Sequence, residues 1–277
     1  MDMAQFARNL RRNDRGVWSP DSQSAISSPA HGNSVYFDVE GKSFWFQHRN
    51  RCLLELLQQF PPQGTIFDVG GGNGFVSLGL HQNGHSVVLV EPGPEGAMNA
   101  QHRGIQNVVC STLQDAGFVP ACMDAAGLFD VVEHIQDEVG FLRDVFAGLR
   151  AGGRLYLTVP AYSSLWSQED VDAGHYRRYT KPQLSAALGR AGFEIEYQTY
   201  LFQFLILPLL LLRGLPYRLG LAQSGCDAEQ VNQSHQLPGG AAGRFLQAWL
   251  DREIAVIRSG GAVSSGTSIL AVARKPR

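Results

Sequence analysis

Ile66-Phe67-Asp68-Val69-Gly70-Gly71-Gly72-Asn73-Gly74 decides the fold. A short apolar run ends in an acid and a glycine-dense turn. The following Phe75-Val76-Ser77-Leu78-Gly79-Leu80 has helical character, so the stretch reads as strand, tight turn and helix. Glycine tolerates positive φ and lets another group lie against the backbone where a Cβ would block it. A ligand can therefore rest directly on this loop. Working outward, strand and helix signals alternate: TIFDV, a helix over 74–83, SVVLVE, a helix over 93–103, NVVC, a short helix, MDAAGLFDV, a helix over 137–149, and RLYLTVP. Continuous apolar strands between helices predict a doubly wound α/β sheet covered on both faces.

The second of these strands ends at Glu91, with Pro92 next. An acid about twenty residues beyond a glycine turn is placed to accept hydrogen bonds from ribose hydroxyls, whichever adenosine cofactor is bound. Dinucleotide-binding loops require G-x-G-x-x-G. Counted from Gly70 the third position is Phe75, and counted from Gly72 it is Ser77, which disfavours an NAD(P)-linked oxidoreductase.

The pattern Asp68-x-Gly70-x-Gly72-x-Gly74 instead resembles motif I of class I S-adenosylmethionine-dependent methyltransferases. That resemblance implies a Rossmann-like, seven-stranded, mostly parallel sheet with an antiparallel edge strand, the last strands being FEIEYQTY and GTSILAVARK. It implies S-adenosylmethionine as cofactor, held by Asp68, Gly70, Gly71, Gly72, Asn73, Gly74, Glu91 and Pro92. Ser111-Thr112-Leu113-Gln114-Asp115 follows the third strand, where relatives surround the adenine, so Thr112 and Leu113 join the set, as does Phe129. Leu128-Phe129-Asp130-Val131-Val132-Glu133-His134-Ile135 resembles the DVLEHI segment of small-molecule methyltransferases, including the ubiquinone-pathway O-methyltransferases. Arg150-Ala151-Gly152-Gly153-Arg154 resembles their LKPGG turn. FWFQHRNR (44–51) and LWSQEDVDAGHYRRYT (165–180) resemble two segments of a bacterial branch, with Ser43 and Phe44 standing where relatives often carry His or Trp. A catalytically silent S-adenosylmethionine-binding protein is the non-enzymatic alternative.

Methyl transfer is an in-line displacement, so alignment supplies most of the catalysis and a base is optional. The expected acceptor is an O or N atom of a small molecule, and for a hydroxyl a histidine is the natural proton acceptor. His175 is the first candidate for base or substrate anchor, its alternative being to order its loop. His134 is the second, beside Glu133, its alternative being a capping or packing role. Two adjacent ligands, Glu133 and His134, are too few to assign a metal. Arg177 and Arg178 suit a carboxylate or phosphate, or pair with Asp170 and Asp172 to fix the loop. Tyr36, Phe46, Arg49, Trp166, Tyr176, Arg177 and Tyr179 are the candidate substrate-pocket residues.

The 277 residues are 44% hydrophobic, ample for a core, and carry a formal net charge of −2. Nothing in that balance attracts polyphosphate, so nucleic acid is not an expected partner. Cys52, Cys110, Cys122 and Cys226 are scattered without CxxC spacing and read as reduced thiols. Residues 1–34 read as an N-terminal arm and flexible linker, with an amphipathic helix over 2–13. Residues 35–277 read as the methyltransferase domain, with lid or pocket insertions at 161–180 and 201–260. The charged N-terminus carries no secretory signal, giving a cytoplasmic expectation. LFQFLILPLLLLRGL (201–215) is shorter than the roughly 20 residues of a spanning helix and is interrupted by Pro208. It reads either as a buried helix or pocket lid, or as an interfacial patch in peripheral contact with lipid.

Overall fold

The computed structural model describes residues 3–22, 24, 37–221 and 236–277. Among them nine strands share one sheet: β1 (Leu10–Arg12), β2 (Trp18–Pro20), β3 (Ile66–Val69), β4 (Val87–Val90), β5 (Val108–Val109), β6 (Met123–Phe129), β7 (Leu149–Pro160), β8 (Glu194–Leu201) and β9 (Ser268–Arg274). Their spatial order is β1-β2-β5-β4-β3-β6-β7-β9-β8. The six longest helices are α1 (Phe44–Gln59), α2 (Phe75–Gln82), α3 (Pro94–His102), α4 (Glu138–Gly148), α5 (Lys181–Ala191) and α6 (Gly240–Arg258).

The pleat divides the strand residues between two apolar layers. Ile66, Ala125, Tyr156, Leu270 and Val272 face Leu53 and Leu56 of α1, Leu80 of α2 and Leu250 and Ile254 of α6. Their neighbours Phe67, Ala126, Leu155, Leu157, Ile269 and Ala271 face Leu142 and Val145 of α4 and Leu184 and Leu188 of α5. Burial on both faces is why these strands read as unbroken apolar runs. The chain runs outward from β3 through β4 to β5, then returns to the other side of β3 as β6, with all four parallel. That reversal opens a crevice at the carboxyl ends of β3 and β6.

Two expectations are corrected. The sheet has nine strands rather than seven, the β1–β2 hairpin adding an antiparallel edge at one end, and of the two C-terminal strands it is β9, between β7 and β8, that runs antiparallel to both while β8 takes the other edge. The reason is visible in burial, since β9 is covered up to Arg274 whereas β8 starts exposed. Residues 3–20 are not a free arm carrying a helix. Only Met3–Gln5 turns as a short 3-10 helix; Met3, Ala7 and Leu10 are buried in the core, and the β1–β2 hairpin pairs through Trp18 with Val109. Covering the open edge of a two-residue strand explains this better than helical periodicity.

Glu253 of α6 anchors the segment after β8. Its carboxylate accepts from the backbone N–H of Phe202 (2.9 Å) and Gln203 (2.7 Å) and meets Nε2 of buried His48 at 3.0 Å. Phe202 sits at φ 60, and helical turns follow over 203–218, with Leu210–Gly214 wound as π-helix. Several leucines of this segment are exposed, so its apolar character does not signal burial. No helix among the described residues is long and apolar enough to cross a membrane. Cys52, Cys110 and Cys122 are free thiols, and Cys226 lies outside the described residues.

Candidate active site

Two cavities, each about 430 Å³, meet at the glycine loop. Gly70 lines both, at φ 75, and a Cβ there would come within 2.7 Å of Val131 Cγ2. Any larger residue would push the loop away from the end of β6. Gly71 is equally confined, because a Cβ would meet Leu89 Cδ1 at 2.8 Å.

Asp68, at the end of β3, is buried and lines the first cavity. Ser77 Oγ donates to its Oδ2 at 2.7 Å, while its Oδ1 has no protein partner. Burial raises its pKa to about 6, against the Ser77 hydrogen bond and the charge of Arg49. Glu91, at the end of β4, accepts from the N–H of Gly72 (2.9 Å) and Gly93 (2.7 Å). Burial raises it to about 7 despite those two bonds. An ionised carboxylate has about four acceptor positions, so Glu91 keeps capacity for further donors. Asn73 is engaged elsewhere: it accepts from Asn99 Nδ2 (2.9 Å) and donates to Glu40 Oε1 (3.3 Å). Glu40 is held in turn by Arg103 at 2.6 Å, which stacks on Phe37 and Phe75, so a helical turn over 37–40 is pinned beside the loop.

Pro92, Thr112 and Leu113 line the second cavity with Val69, Val131 and Phe141. Thr112 also caps the short helix Leu113–Ala116, accepting from Asp115 N at 3.0 Å. The donor set fits the cofactor implied by the sequence. A buried carboxylate oxygen without a partner can receive an ammonium, Glu91 can receive ribose hydroxyls, and the second cavity offers an apolar slot for a flat base.

The first cavity continues past Phe129 into a polar chamber lined by Phe46, Arg49, Asp130, Glu133, Asp170, His175 and Arg178. His175 Nδ1 lies 2.9 Å from Asp170 Oδ1. Asp170 also accepts from Arg178 Nε at 2.7 Å and from Ser167 N at 2.8 Å. Burial pushes Asp170 up, but the His175 and Arg178 hydrogen bonds outweigh it and its pKa is lowered. His134 packs edge-on to His175, ring centroids 4.7 Å apart. Burial and then the neighbouring His175 lower His134 to about 4, which keeps it neutral.

Glu133 is fully buried with both carboxyl oxygens unpartnered; burial and then the charge of Asp130 hold it well above the ordinary carboxylate range. Glu133, His134 and His175 each bring one ligand atom within 4.8 Å of the others, a donor set of the type that holds a divalent cation. The fold thus adds His175 to the two ligands visible in the sequence. Arg49 pairs with Asp130, stacks on Trp45 and Phe46, and crosses from α1 to the end of β6. Asp130 itself adopts φ 57 and accepts from Thr158 Oγ1 at 3.0 Å.

Among the described residues, the remaining candidates do not line this chamber. Tyr36 lies outside the described residues. Trp166 is half-buried at the end of the 3-10 turn Ser163–Leu165, and Tyr176 is half exposed. Arg177 turns away to Glu138 and the Gln136 carbonyl, and Tyr179 is core, its hydroxyl donating to Glu138 Oε2 at 2.7 Å. Asp172 accepts from Gln168 Nε2 at 2.9 Å. The sequence did not single out Trp45, Asp130, Glu169, Leu205, Leu209 or Arg213 for the chamber, all of which line it. They come from separate stretches that only the fold juxtaposes, although the αL-tolerant Asp130 directly after a strand carried a local signal.

A family model described as a methyltransferase domain matches residues 42–198, more than half of the chain. Over 198 residues the chain is 24% identical to a probable S-adenosylmethionine-dependent methyltransferase of Mycobacterium tuberculosis, covering 69% of this chain and 71% of that protein. It is 26% identical over 195 residues to a ubiquinone biosynthesis O-methyltransferase of Xanthomonas axonopodis pv. citri, covering 63% of this chain and 82% of that one. Among solved structures, phosphoethanolamine N-methyltransferase 2 of Haemonchus contortus in complex with S-adenosyl-L-methionine superposes with a TM-score of 0.55 at 18% identity, covering 90% of this chain and 58% of that one. At that identity the likeness shows the fold.

Proposed function

Because this chain belongs to the methyltransferase-domain family, we propose that it transfers a methyl group from S-adenosylmethionine to an oxygen or nitrogen of a small molecule. The observation that carries this reading is the junction of the two cavities at Gly70. Asp68 and the His175–Asp170 pair line the first cavity together, the second cavity opens on the other side of Gly70, and Glu91 is held at the same loop by the N–H groups of Gly72 and Gly93.

The cofactor supplies a methyl carbon activated by a positive sulfonium. The chain supplies position, exclusion of water and a place for the acceptor's proton. Asp68 offers its unpartnered Oδ1 to the cofactor's ammonium, and Glu91 offers its remaining acceptor positions to the ribose. Pro92, Thr112 and Leu113 bound the adenine. Phe129 and the loop glycines close the space between cofactor and acceptor.

His175 takes the proton that the acceptor O–H or N–H releases as its new bond to carbon forms. With Asp170 on Nδ1, the imidazole keeps Nδ1–H and presents Nε2 as the base, and the carboxylate stabilises the imidazolium that results. Arg178 fixes that carboxylate. Neutral His134 adds no opposing charge beside the ring that becomes cationic. Glu133, held toward its protonated form, provides one donor and one acceptor for a polar substituent of the acceptor molecule.

The test is transfer of labelled methyl from S-adenosylmethionine into a small-molecule extract of the source cells, with wild type and His175→Ala in parallel. The reading requires a labelled small molecule with wild type and a strongly reduced yield with the variant. Absence of any label despite cofactor binding would contradict it.

A further inference from the structure

The segment 203–221 has two faces. Leu205, Leu209 and Arg213 line the first cavity and form part of its wall. On the other side Leu207 (66% exposed), Leu211 (57%), Leu212 (75%), Leu215 (43%), Leu219 (63%) and Leu221 (70%) stand in solvent. A run of exposed leucines of this extent marks a surface that is covered in use. The composition favours lipid over protein. Protein hot spots are rich in Trp, Tyr and Arg and poor in Leu, whereas the exposed apolar side chains of this segment are all leucine.

The charge pattern agrees. Residues 201–221 contain Arg213 and Arg218 and no acid. Arg213 pairs with Glu169. Arg218 gives one N–H to the Ser164 carbonyl at 2.9 Å and meets no carboxylate among the described residues, leaving its charge for an anionic surface. The segment is too short to span a bilayer but has the form of an element that lies in the interface. Its far side is the wall of the reaction chamber, so anything bound to the ridge is one helix thickness from the site.

We propose that 203–221 is an interfacial lid that seats on an anionic phospholipid bilayer and admits an amphiphilic acceptor from it into the first cavity. The second half of the proposal rests on the methyltransferase reading above; the first half does not.

The test is flotation of the full chain with vesicles of phosphatidylcholine alone and of phosphatidylcholine mixed with phosphatidylglycerol. Calorimetry with S-adenosylhomocysteine on the same preparations reports separately on the cofactor site. The expected result is flotation that is stronger with phosphatidylglycerol. The triple variant Leu207→Gln, Leu211→Gln, Leu212→Gln lowers partitioning by at least about tenfold, and Arg218→Gln lowers it on the anionic vesicles by about fivefold. Both variants retain wild-type cofactor affinity, because none of these residues lines either cavity. The lid proposal is overturned if wild type stays in the aqueous fraction with both vesicle types, or if the triple variant floats as well as wild type. Self-association in sedimentation velocity that the triple variant abolishes, without vesicle binding, also overturns it and gives the face to a second copy. Flotation without cofactor binding would instead defeat the methyltransferase reading and leave the interfacial surface standing.

Discussion

His175 Nδ1 and Asp170 Oδ1 are 2.9 Å apart, and the backbone closes the same loop, with His175 N donating to Asp170 O at 2.8 Å. A ring tied at both points cannot turn freely, and its Nε2 edge is the part left for the chamber. Replacing His175 by Ala is expected to lower the methyl-transfer rate by about 10²- to 10⁴-fold with cofactor affinity unchanged. Rate measurements with labelled cofactor and calorimetry on the same variant separate the two; an unaltered rate would remove His175 from the chemistry.

Two adjacent arginines are expected to behave differently. Arg178 holds Asp170, whereas Arg177 leaves the chamber for Glu138 and the Gln136 carbonyl. Arg178→Ala should therefore cost turnover by roughly tenfold or more through loss of a charge-assisted bond to the orienting carboxylate. Arg177→Ala should leave the rate near wild type. Equal losses in both variants would mean that the whole loop, and not the Asp170 carboxylate, is what matters.

The pH dependence follows from Asp68 and Glu91. Burial raises their folded-state values to about 6 and about 7, from 3.8 and 4.5. Through that window the folded chain holds protons that the unfolded chain has released, so their contribution to stability without cofactor falls as pH rises. Cofactor binding has the opposite sign, because ammonium and hydroxyl donors favour the ionised carboxylates. The rise in Tm produced by S-adenosylmethionine should thus grow from about pH 5.5 to about pH 8, as differential scanning fluorimetry would show. A constant increment over that range would mean that neither acid faces the ligand.

Glu253 offers a stability test away from the chemistry. Its carboxylate satisfies the N–H groups of Phe202 and Gln203 and meets buried His48. Glu253→Ala leaves all three without that partner and is expected to destabilise the chain by about 3–5 kcal/mol in denaturant unfolding. A loss below about 1 kcal/mol would show that water replaces the carboxylate.

What the sequence disclosed and what it hid follow from the range over which each feature is built. The loop 70–74, Asp68 and Glu91 are local products of strand ends and glycine conformations, so their spacing and the motif I resemblance were enough to single them out. The chamber is assembled from α1, the end of β6, the 168–178 loop and the 203–213 segment. No periodicity announces that Arg49 meets Asp130, or that His175 meets Asp170 and His134 together. The sequence offered Arg177 and Tyr179 as pocket residues; Glu138 at the start of α4 draws both away, and Arg178 lines the chamber instead. The N-terminal hairpin was hidden for a related reason, since three-residue strands exist only because β5 presents an edge to pair with. The 201–215 run declared its hydrophobicity but not its direction, which is inward at Leu205 and Leu209 and outward at Leu211 and Leu212.

Binding of S-adenosylmethionine at the Asp68–Gly74 loop is tested most directly by calorimetry of the full chain. Titration with S-adenosylhomocysteine, S-adenosylmethionine and NAD, on wild type and Glu91→Ala, should show one site for the two sulfur ligands. The Glu91 variant should bind them about 10- to 100-fold more weakly, the loss expected for charged hydrogen bonds, and NAD should give no saturable heat. Saturable NAD binding with no response to either sulfur ligand would contradict the account.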